Sequence, residues 1–475
     1  MFTINKKSKL VITIGPASEN YEVMKSLILA GATCVRGNFS HGTHEEQKAK
    51  FDIAKQISKE LNIPISLMLD TKGPEIRIGK MKDGGQQIQA NTILKVHTTS
   101  EAYSKLEGTH NEITVSYDMS QDLKVGDIVL FDDGKLTSHV ISVESGLVEV
   151  KTFNNHYLKT NKRINLPGVD FSLPFLSEKD KNDILFGIKE KIDYVAASFV
   201  NSAQNVKELR TLLNENNGKN IGIIAKIESQ LGVNNIDEII EEVDGIMVAR
   251  GDLGLEIPYY EVPVVQKMMI EKCRKAGKYV IVATQMLDSM ENNPHPTRAE
   301  VTDVYHATEL GADSTMLSGE SASGKYPELA VKTMSTINKR AEEEFYQIDN
   351  YEKEFNKASK SNCNCEFTQK LAHDLALKIK NNNYKYLVLV TQYPEIIKEL
   401  TKYRPNTIII PVLDKNELTT KYGVVYGVWP ILNSEELFSK VKNNINNVKE
   451  LFNTFKLESN DKILIYQDNQ ELLEW

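Results

Sequence analysis

GIMVARGDLGLEIP, residues 245–258, opens as a strand made for burial and then sets down Arg250, Gly251, Asp252 and Glu256. The small and apolar residues from Gly245 to Ala249 suit a β-strand covered on both faces. A charged pair separated by one glycine suits the end of such a strand only if that end has work to do.

The same texture recurs along the chain. Short apolar runs stand at KLVITIG (9–15), TCVRGNF (33–39), ISLMLDT (65–71), DYVAASF (193–199), IGIIAKI (221–227), DGIMVAR (244–250), YVIVATQ (279–285) and DSTMLSG (313–319). Between them lie amphipathic segments such as EEQKAKFDIAKQISKELN and VNNIDEIIEEV, with apolar residues three and four apart. Eight strands, each followed by a helix, predict an α/β fold, a (β/α)8 TIM barrel. An open doubly wound sheet fits less well, because no Gly-rich dinucleotide turn follows the first strand.

The third repeat is interrupted after Thr71. About a hundred residues follow with period-2 runs (LKVHTT, ITVSYD, DIVLFDDG, GLVEVKTF) and turn signals such as DGG and DDG, which predict a small inserted all-β domain. Asp132-Asp133-Gly134 reads as a hairpin turn. Past residue 350 the chain gives a polar linker, EKEFNKASKSNCN, and then helix–strand alternation around KYLVLVT and NTIIIPVL. The expected division is a barrel over 1–72 and 170–348, an insertion over 73–169 and a C-terminal α/β domain over 349–475.

The 475 residues are 41% hydrophobic and 26% charged, an ordinary globular balance, and the formal net charge is −8. That charge argues against nucleic acid as a partner. No apolar run approaches a membrane span, and the N-terminal one is too short for a signal peptide, so no membrane partner is expected. The four cysteines are Cys34, Cys273, Cys363 and Cys365, expected as reduced thiols in the cytoplasm. Cys363-x-Cys365 lacks the second pair that a zinc site needs.

In such a barrel the functional residues come from the C-terminal strand ends. Those ends carry Thr13, Arg36 with Asn38, Asp70 with Thr71, Lys226 with Glu228, Arg250 with Asp252, Thr284, and Ser318 with Glu320. Strand side chains alternate faces, so Lys226 with Glu228, and Arg250 with Asp252, are expected to converge on one mouth. Two ion pairs desolvated side by side are a poor route to stability, which favours function. Two carboxylates on neighbouring strands suit Mg²⁺ or Mn²⁺ completed by substrate oxygens. The lysine and arginines beside them predict an anionic substrate, and Gly251 is expected to leave backbone N–H groups open to an oxyanion.

The ordered set RGNFSHG, MLDTKGPEIRIG, INLPG, IIAKIES, GIMVARGDLGLEIP, VATQMLDSM, NPHPTRAEVTDV and MLSGESASGKYP resembles pyruvate kinase across about 350 residues. The resemblance implies a catalytic barrel, a mobile β-barrel lid and a C-terminal regulatory and assembly domain. It implies phosphoryl transfer from phosphoenolpyruvate to ADP, giving pyruvate and ATP, by a cytoplasmic homotetramer. Carried over, Glu228 and Asp252 would hold Mg²⁺, and Lys226 would face the transferring phosphoryl. Arg36 would contact that phosphoryl, and Thr284 would lie by the carbon that is protonated. Gly251 belongs to the substrate site. Asn38, Ser40, Asp70 and Thr71 resemble a K⁺ site, and Glu75 stands where an acidic residue goes with K⁺ activation in this family. Pro16, His41, Arg77 and Lys162 fall at nucleotide positions, and Asp132 where the family has an acidic lid residue.

Some positions depart from the family pattern. Gly37 stands where a large apolar residue is common, which predicts looser packing beside Arg36. Arg163 stands where glycine normally precedes INLPG, Leu231 replaces a polar residue, and Tyr305-His306 replace a small residue and Asn. Thr297 with Glu300 reads as a capping box, in a region the resemblance places near a subunit interface. Activation by fructose 1,6-bisphosphate is not expected. Family members that respond to it carry a Thr/Ser- and Gly-rich loop where this chain has Gln392-Tyr393-Pro394-Glu395. Two rival functions are another metal-dependent barrel enzyme acting on phosphoenolpyruvate or pyruvate, and a non-catalytic binding paralogue. The first would not need Lys162, Arg77 or His41, and the intact Lys226, Glu228, Asp252 and Thr284 argue against the second.

Overall fold

The computed structural model describes residues 6–170, 172–361, 366–455, 461–468 and 473–474. Its centre is a closed barrel of eight parallel strands, Lys9–Thr13 (β1), Cys34–Asn38 (β2), Ser66–Asp70 (β3), Tyr194–Ala197 (β4), Gly222–Ile227 (β5), Gly245–Ala249 (β6), Tyr279–Ala283 (β7) and Ser314–Leu317 (β8). All eight expected strands are present, each shorter than its apolar run by one to three residues at the ends.

Inside the barrel the side chains lie in layers. Cys34, Met68 and Ile224 belong to the apolar interior cluster, along with Val11, Ala196 and Ile281. Two residues further along the same strands stand Arg36, Asp70 and Lys226, which therefore face inward one layer higher. The barrel core is apolar at its waist and ionic at its mouth.

The insertion forms its own sheet, with strands in the order Ile76–Arg77, Arg163–Asn165, Ile128–Phe131, Leu136–Glu144, Leu147–Thr152, Ile93–His97 and Glu112–Thr114. A bridge between Ile78 and Val115 joins its two edges and closes the sheet on itself. Its apolar residues form a separate cluster. The long strand Leu136–Glu144 was not among the period-2 runs, because Thr137, Ser138 and His139 dilute its apolar alternation.

The C-terminal sheet orders its strands Ile408–Leu413, Tyr386–Thr391, Ile463–Gln467 and Leu473–Glu474. Most of the expected polar linker is helical instead, over Ile348–Ser361, with Tyr351 and Phe355 buried on one face. Polar composition concealed a helix whose few apolar residues fall at the right spacing. Cys363 and Cys365 lie outside the described residues. The C-terminal part docks on the N-terminal end of the barrel: Thr33 Oγ1 donates to the Gly423 carbonyl at 2.6 Å, and Arg404 pairs with Asp313 at 2.8 Å. The mouth at the other end is left to the insertion. Separate sheets and a separate lid core support the division at 1–72 with 170–348, 73–169 and 349–475, which we propose as the domain organisation.

Gly37 does not loosen its surroundings. A Cβ there would meet Gln47 Oε1 at 2.9 Å and Phe51 Cζ at 3.0 Å, so these two side chains already fill the space. Thr297 does cap the helix Arg298–Glu309 in a capping box with Glu300.

Candidate active site

Strand register builds the ionic layer. Arg36 lies beside Thr13 of β1, and Asn38 lies beside Asp70 of β3. Arg36 Nε donates to Asp70 Oδ2 at 2.7 Å and its Nη1 to Thr13 Oγ1 at 2.7 Å. Asp70 Oδ1 faces Lys226 Nζ at 3.0 Å, and the same ammonium lies 3.0 Å from Glu228 Oε1. Lys226 also donates to Ser198 Oγ at 2.7 Å, and that hydroxyl donates to the Thr71 carbonyl. Ser198, on the inward face two residues past Ala196 of β4, was absent from the candidates.

Burial sets the charge state of this cluster. It penalises the Lys226 ammonium, but Asp70 and Glu228 outweigh it and hold Lys226 above the ordinary lysine value. Burial also opposes the Asp70 carboxylate, and Arg36 and Lys226 carry it below the usual aspartate value. Glu228 goes the other way: burial and the nearby Asp252 raise it, with Lys226 pulling against them. Lys226 is therefore a permanent cation, and Glu228 is held above the ordinary glutamate value by burial despite the ammonium 3.0 Å away.

The second carboxylate reaches the mouth differently from the expectation. The helix Arg250–Glu256 starts immediately after β6, so Arg250 and Asp252 are not strand residues and do not point the same way. Arg250 turns to Asp303 at 2.5 Å and to the Thr284 carbonyl at 2.8 Å, bracing the barrel wall. Asp252 faces the insertion, where Arg163 Nη1 donates to its Oδ1. The period-2 reading failed because it carried strand alternation past Ala249, where the chain already turns helical. Gly251 N–H is likewise not open: it donates to Thr284 Oγ1 at 2.7 Å. Glu320 is structural, its oxygens accepting from the Leu287 and Ser318 N–H groups.

Glu228 Oε1 is buried with only the Lys226 ammonium beside it, at 3.0 Å, whereas Oε2 accepts from Phe199 N–H at 2.8 Å. A buried carboxylate oxygen that faces a single ammonium, beside a second, partly exposed carboxylate, fits a hard divalent ion. Among the described residues no group of three or more His, Cys, Asp or Glu could hold a metal, so substrate or water oxygens would have to complete the shell. Of the four positions resembling a K⁺ site, Asn38 Oδ1 accepts from Ser40 N–H at 3.0 Å, and Thr71 Oγ1 accepts from Ser198 N–H at 3.0 Å. Asp70 is shared with Arg36 and Lys226 as described.

Of the nucleotide positions, Pro16 and His41 are exposed on loops that follow β1 and β2. Arg77 and Lys162 lie on neighbouring segments of the inserted sheet. Arg77 is held by Glu75 Oε2 at 2.9 Å, and Lys162 by Asp132 Oδ1 at 2.8 Å. Asp132, at the start of the predicted hairpin turn, also pairs with His156 at 2.9 Å. No hydrogen bond joins the barrel pair to the lid pair among the described residues.

Residues 5–331 match the family described as pyruvate kinase, barrel domain. The chain belongs to the pyruvate kinase family. Its function is that of a pyruvate kinase. The pyruvate kinase of Mycoplasma pneumoniae is 44% identical over 460 residues, covering 90% of each chain. That of Staphylococcus aureus (strain MRSA252) is 43% identical over 430 residues, covering 90% of this chain and 72% of the other. The crystal structure of a pyruvate kinase from Cryptosporidium parvum superposes with a TM-score of 0.91 at 34% identity, over 99% of this chain and 96% of that one. The pyruvate kinase barrel thus carries the ionic mouth described above.

Proposed function

We propose that the mouth transfers a phosphoryl group from phosphoenolpyruvate to ADP, making the chain a phosphotransferase that releases pyruvate and ATP. The observation that carries this is the buried Lys226 ammonium, held between Asp70 and Glu228 at 3.0 Å each with Arg36 alongside. Fixed cations in a water-poor mouth stabilise charge that spreads over a transferring phosphoryl group, and they need no rearrangement at the moment of reaction.

In this reading Arg36 and Lys226 hold the phosphoryl oxygens, and Lys226 also faces the enolate oxygen that develops. Asp70 orients both cations. Glu228 and Asp252 would hold Mg²⁺ or Mn²⁺, which when bound neutralises substrate oxygens at the reacting centre. Asn38, Ser40, Asp70 and Thr71 would hold K⁺, oxygen donors suited to a hard monovalent ion. Thr284 stands by the carbon that receives a proton. Gly251 positions Thr284 through its N–H, and Pro16, His41, Arg77 and Lys162 contact nucleotide. The inserted sheet lies beside the mouth and would exclude water on closing. The resemblance supports a homotetramer working in the cytoplasm. Among the described residues no helix is long and apolar enough to cross a membrane.

The test is pyruvate formation from phosphoenolpyruvate with and without ADP, in the wild type, Glu228→Gln and Asp252→Asn. Strict ADP dependence, with turnover reduced by orders of magnitude in each folded variant, is expected. Turnover without ADP would favour a lyase instead. Near-normal rates at saturating Mg²⁺ would remove that carboxylate from the metal site.

A further inference from the structure

Arg163 is one of the residues that depart from the family pattern. Its backbone belongs to the inserted sheet: it lies opposite Arg77, and its carbonyl accepts from Asp132 N–H at 2.9 Å. Its side chain leaves that sheet and crosses to the barrel, where Nη1 donates to Asp252 Oδ1. On the way the guanidinium lies over the Phe199 ring, 4.9 Å from its centre. Phe199 is held at φ 54°, a left-handed conformation uncommon for a bulky residue, and its N–H donates to Glu228 Oε2. One strained residue therefore serves both carboxylates of the proposed metal site, Glu228 through its backbone and Asp252 through the arginine resting on its ring.

We propose that Arg163 is a built-in counter-cation of the Glu228–Asp252 pair, which a divalent ion must displace from Asp252 when it binds. The inference rests on the reading of Glu228 and Asp252 as metal ligands. Two negative carboxylates at the end of a low-dielectric barrel repel each other unless a cation lies between or beside them. The Arg163 side chain is only 15% exposed and that of Asp252 25%, so water alone screens the pair poorly. Arg163 and an incoming ion would compete for the same oxygen. Because the arginine is anchored in the inserted sheet, the competition also joins metal binding to the contact between lid and barrel.

The experiment measures Mn²⁺ binding by the free-ion signal in electron paramagnetic resonance, alongside thermal melting in chelator and in Mn²⁺. Wild type, Arg163→Gln, Arg163→Lys, Asp252→Asn and Glu228→Gln are compared. Arg163→Gln is expected to bind Mn²⁺ roughly fivefold more tightly than wild type, the scale of losing one partly exposed competing ion pair. It should melt lower in chelator and gain more from Mn²⁺ than wild type does. Arg163→Lys, which keeps the charge, should stay near wild type on both measures. Equal or weaker Mn²⁺ binding in Arg163→Gln, or a melting loss of the same size with and without Mn²⁺, would overturn the proposal and leave Arg163 a structural strut. If neither Asp252→Asn nor Glu228→Gln weakens Mn²⁺ binding, the metal-ligand reading itself fails. If both weaken it while Arg163→Gln changes nothing, only the role of Arg163 fails.

Discussion

Thr284 Oγ1 accepts the Gly251 N–H at 2.7 Å, and the same threonine sits at φ 67°. A β-branched residue in the left-handed region is a conformational outlier. The contact ties the end of β7 to the start of the helix after β6, the two elements that carry Thr284 and Asp252. Strain of this kind costs on the order of 1–3 kcal/mol and persists where surrounding structure imposes it. Thr284→Gly should therefore leave the melting temperature close to that of the wild type, because relief of strain offsets the two lost hydrogen bonds, to the Gly251 N–H and the Ala283 carbonyl, of about 1 kcal/mol each. Turnover should fall at least tenfold. A large melting loss would show that the hydroxyl is structural first.

Lys226→Met should abolish phosphoryl transfer and also destabilise the fold, since Asp70 and Glu228 lose the cation between them. Breaking a buried ion pair from one side costs roughly 3–5 kcal/mol. Exchange of pyruvate methyl protons should survive where the variant folds, because that step needs less phosphoryl neutralisation. Methyl-proton exchange followed by NMR, together with denaturant melting, checks both halves. Exchange lost along with transfer would leave the separation of roles unsupported.

Activity should rise on adding K⁺ to enzyme in a Tris-only buffer, and Glu75→Lys should flatten that response. Glu75 also grips Arg77 through Nε at 3.0 Å and Nη2 at 2.9 Å, so the same variant should raise KM for ADP. Steady-state rates with and without K⁺, at several ADP concentrations, separate the two effects. A K⁺ response equal in wild type and variant would dissociate Glu75 from the monovalent ion.

Fructose 1,6-bisphosphate should leave the phosphoenolpyruvate saturation curve where it is. The loop after Tyr386–Thr391 has its N–H groups already engaged: Gln392 donates to Asp468 Oδ2 at 2.9 Å and Tyr393 to Thr391 Oγ1 at 3.0 Å. Pro394 has no N–H, and both Asp468 and Glu395 add negative charge where a sugar phosphate needs attraction. A clear leftward shift with excess bisphosphate, lost on mutating residues 391–395, would contradict this.

Asp193 should make stability fall as pH rises. Burial pushes its carboxyl up to about 6 from an ordinary 3.8, against the hydrogen bonds from Thr420 and the Leu67 N–H. Between those values the folded chain keeps a proton that the unfolded chain releases, so stability is full below the lower value, declines through the window and is level above the higher one. The decline attributable to this group is on the order of 3 kcal/mol. Asp193→Asn should remove it, so the variant gains on wild type in urea melts run from about pH 4 to about pH 7. A constant difference across that range would refute the assignment.

The eight strands and the ends that carry Arg36, Asp70, Lys226 and Glu228 were legible without coordinates. Their signal is local: a buried parallel strand must be apolar throughout, and period-2 alternation places every second residue on one face. The inserted β region and the capping box at Thr297 were legible for the same reason. The helix over Ile348–Ser361 was not, because sparse apolar residues in a polar segment look like a linker until something packs against them.

What tertiary structure alone decided is who partners whom. Arg250 and Asp252, two residues apart, point to Asp303 and to Arg163, because the chain turns helical between strand and mouth. Gly251 N–H is spent on Thr284, 33 residues away, and Gln47 with Phe51 fills the space at Gly37. Arg163 meets Asp252 from 89 residues away only because the inserted sheet folds back over the barrel. A sequence places a charge at the end of a strand, but the opposing charge comes from whichever distant element is packed there, and that contact exists only once the whole chain has closed.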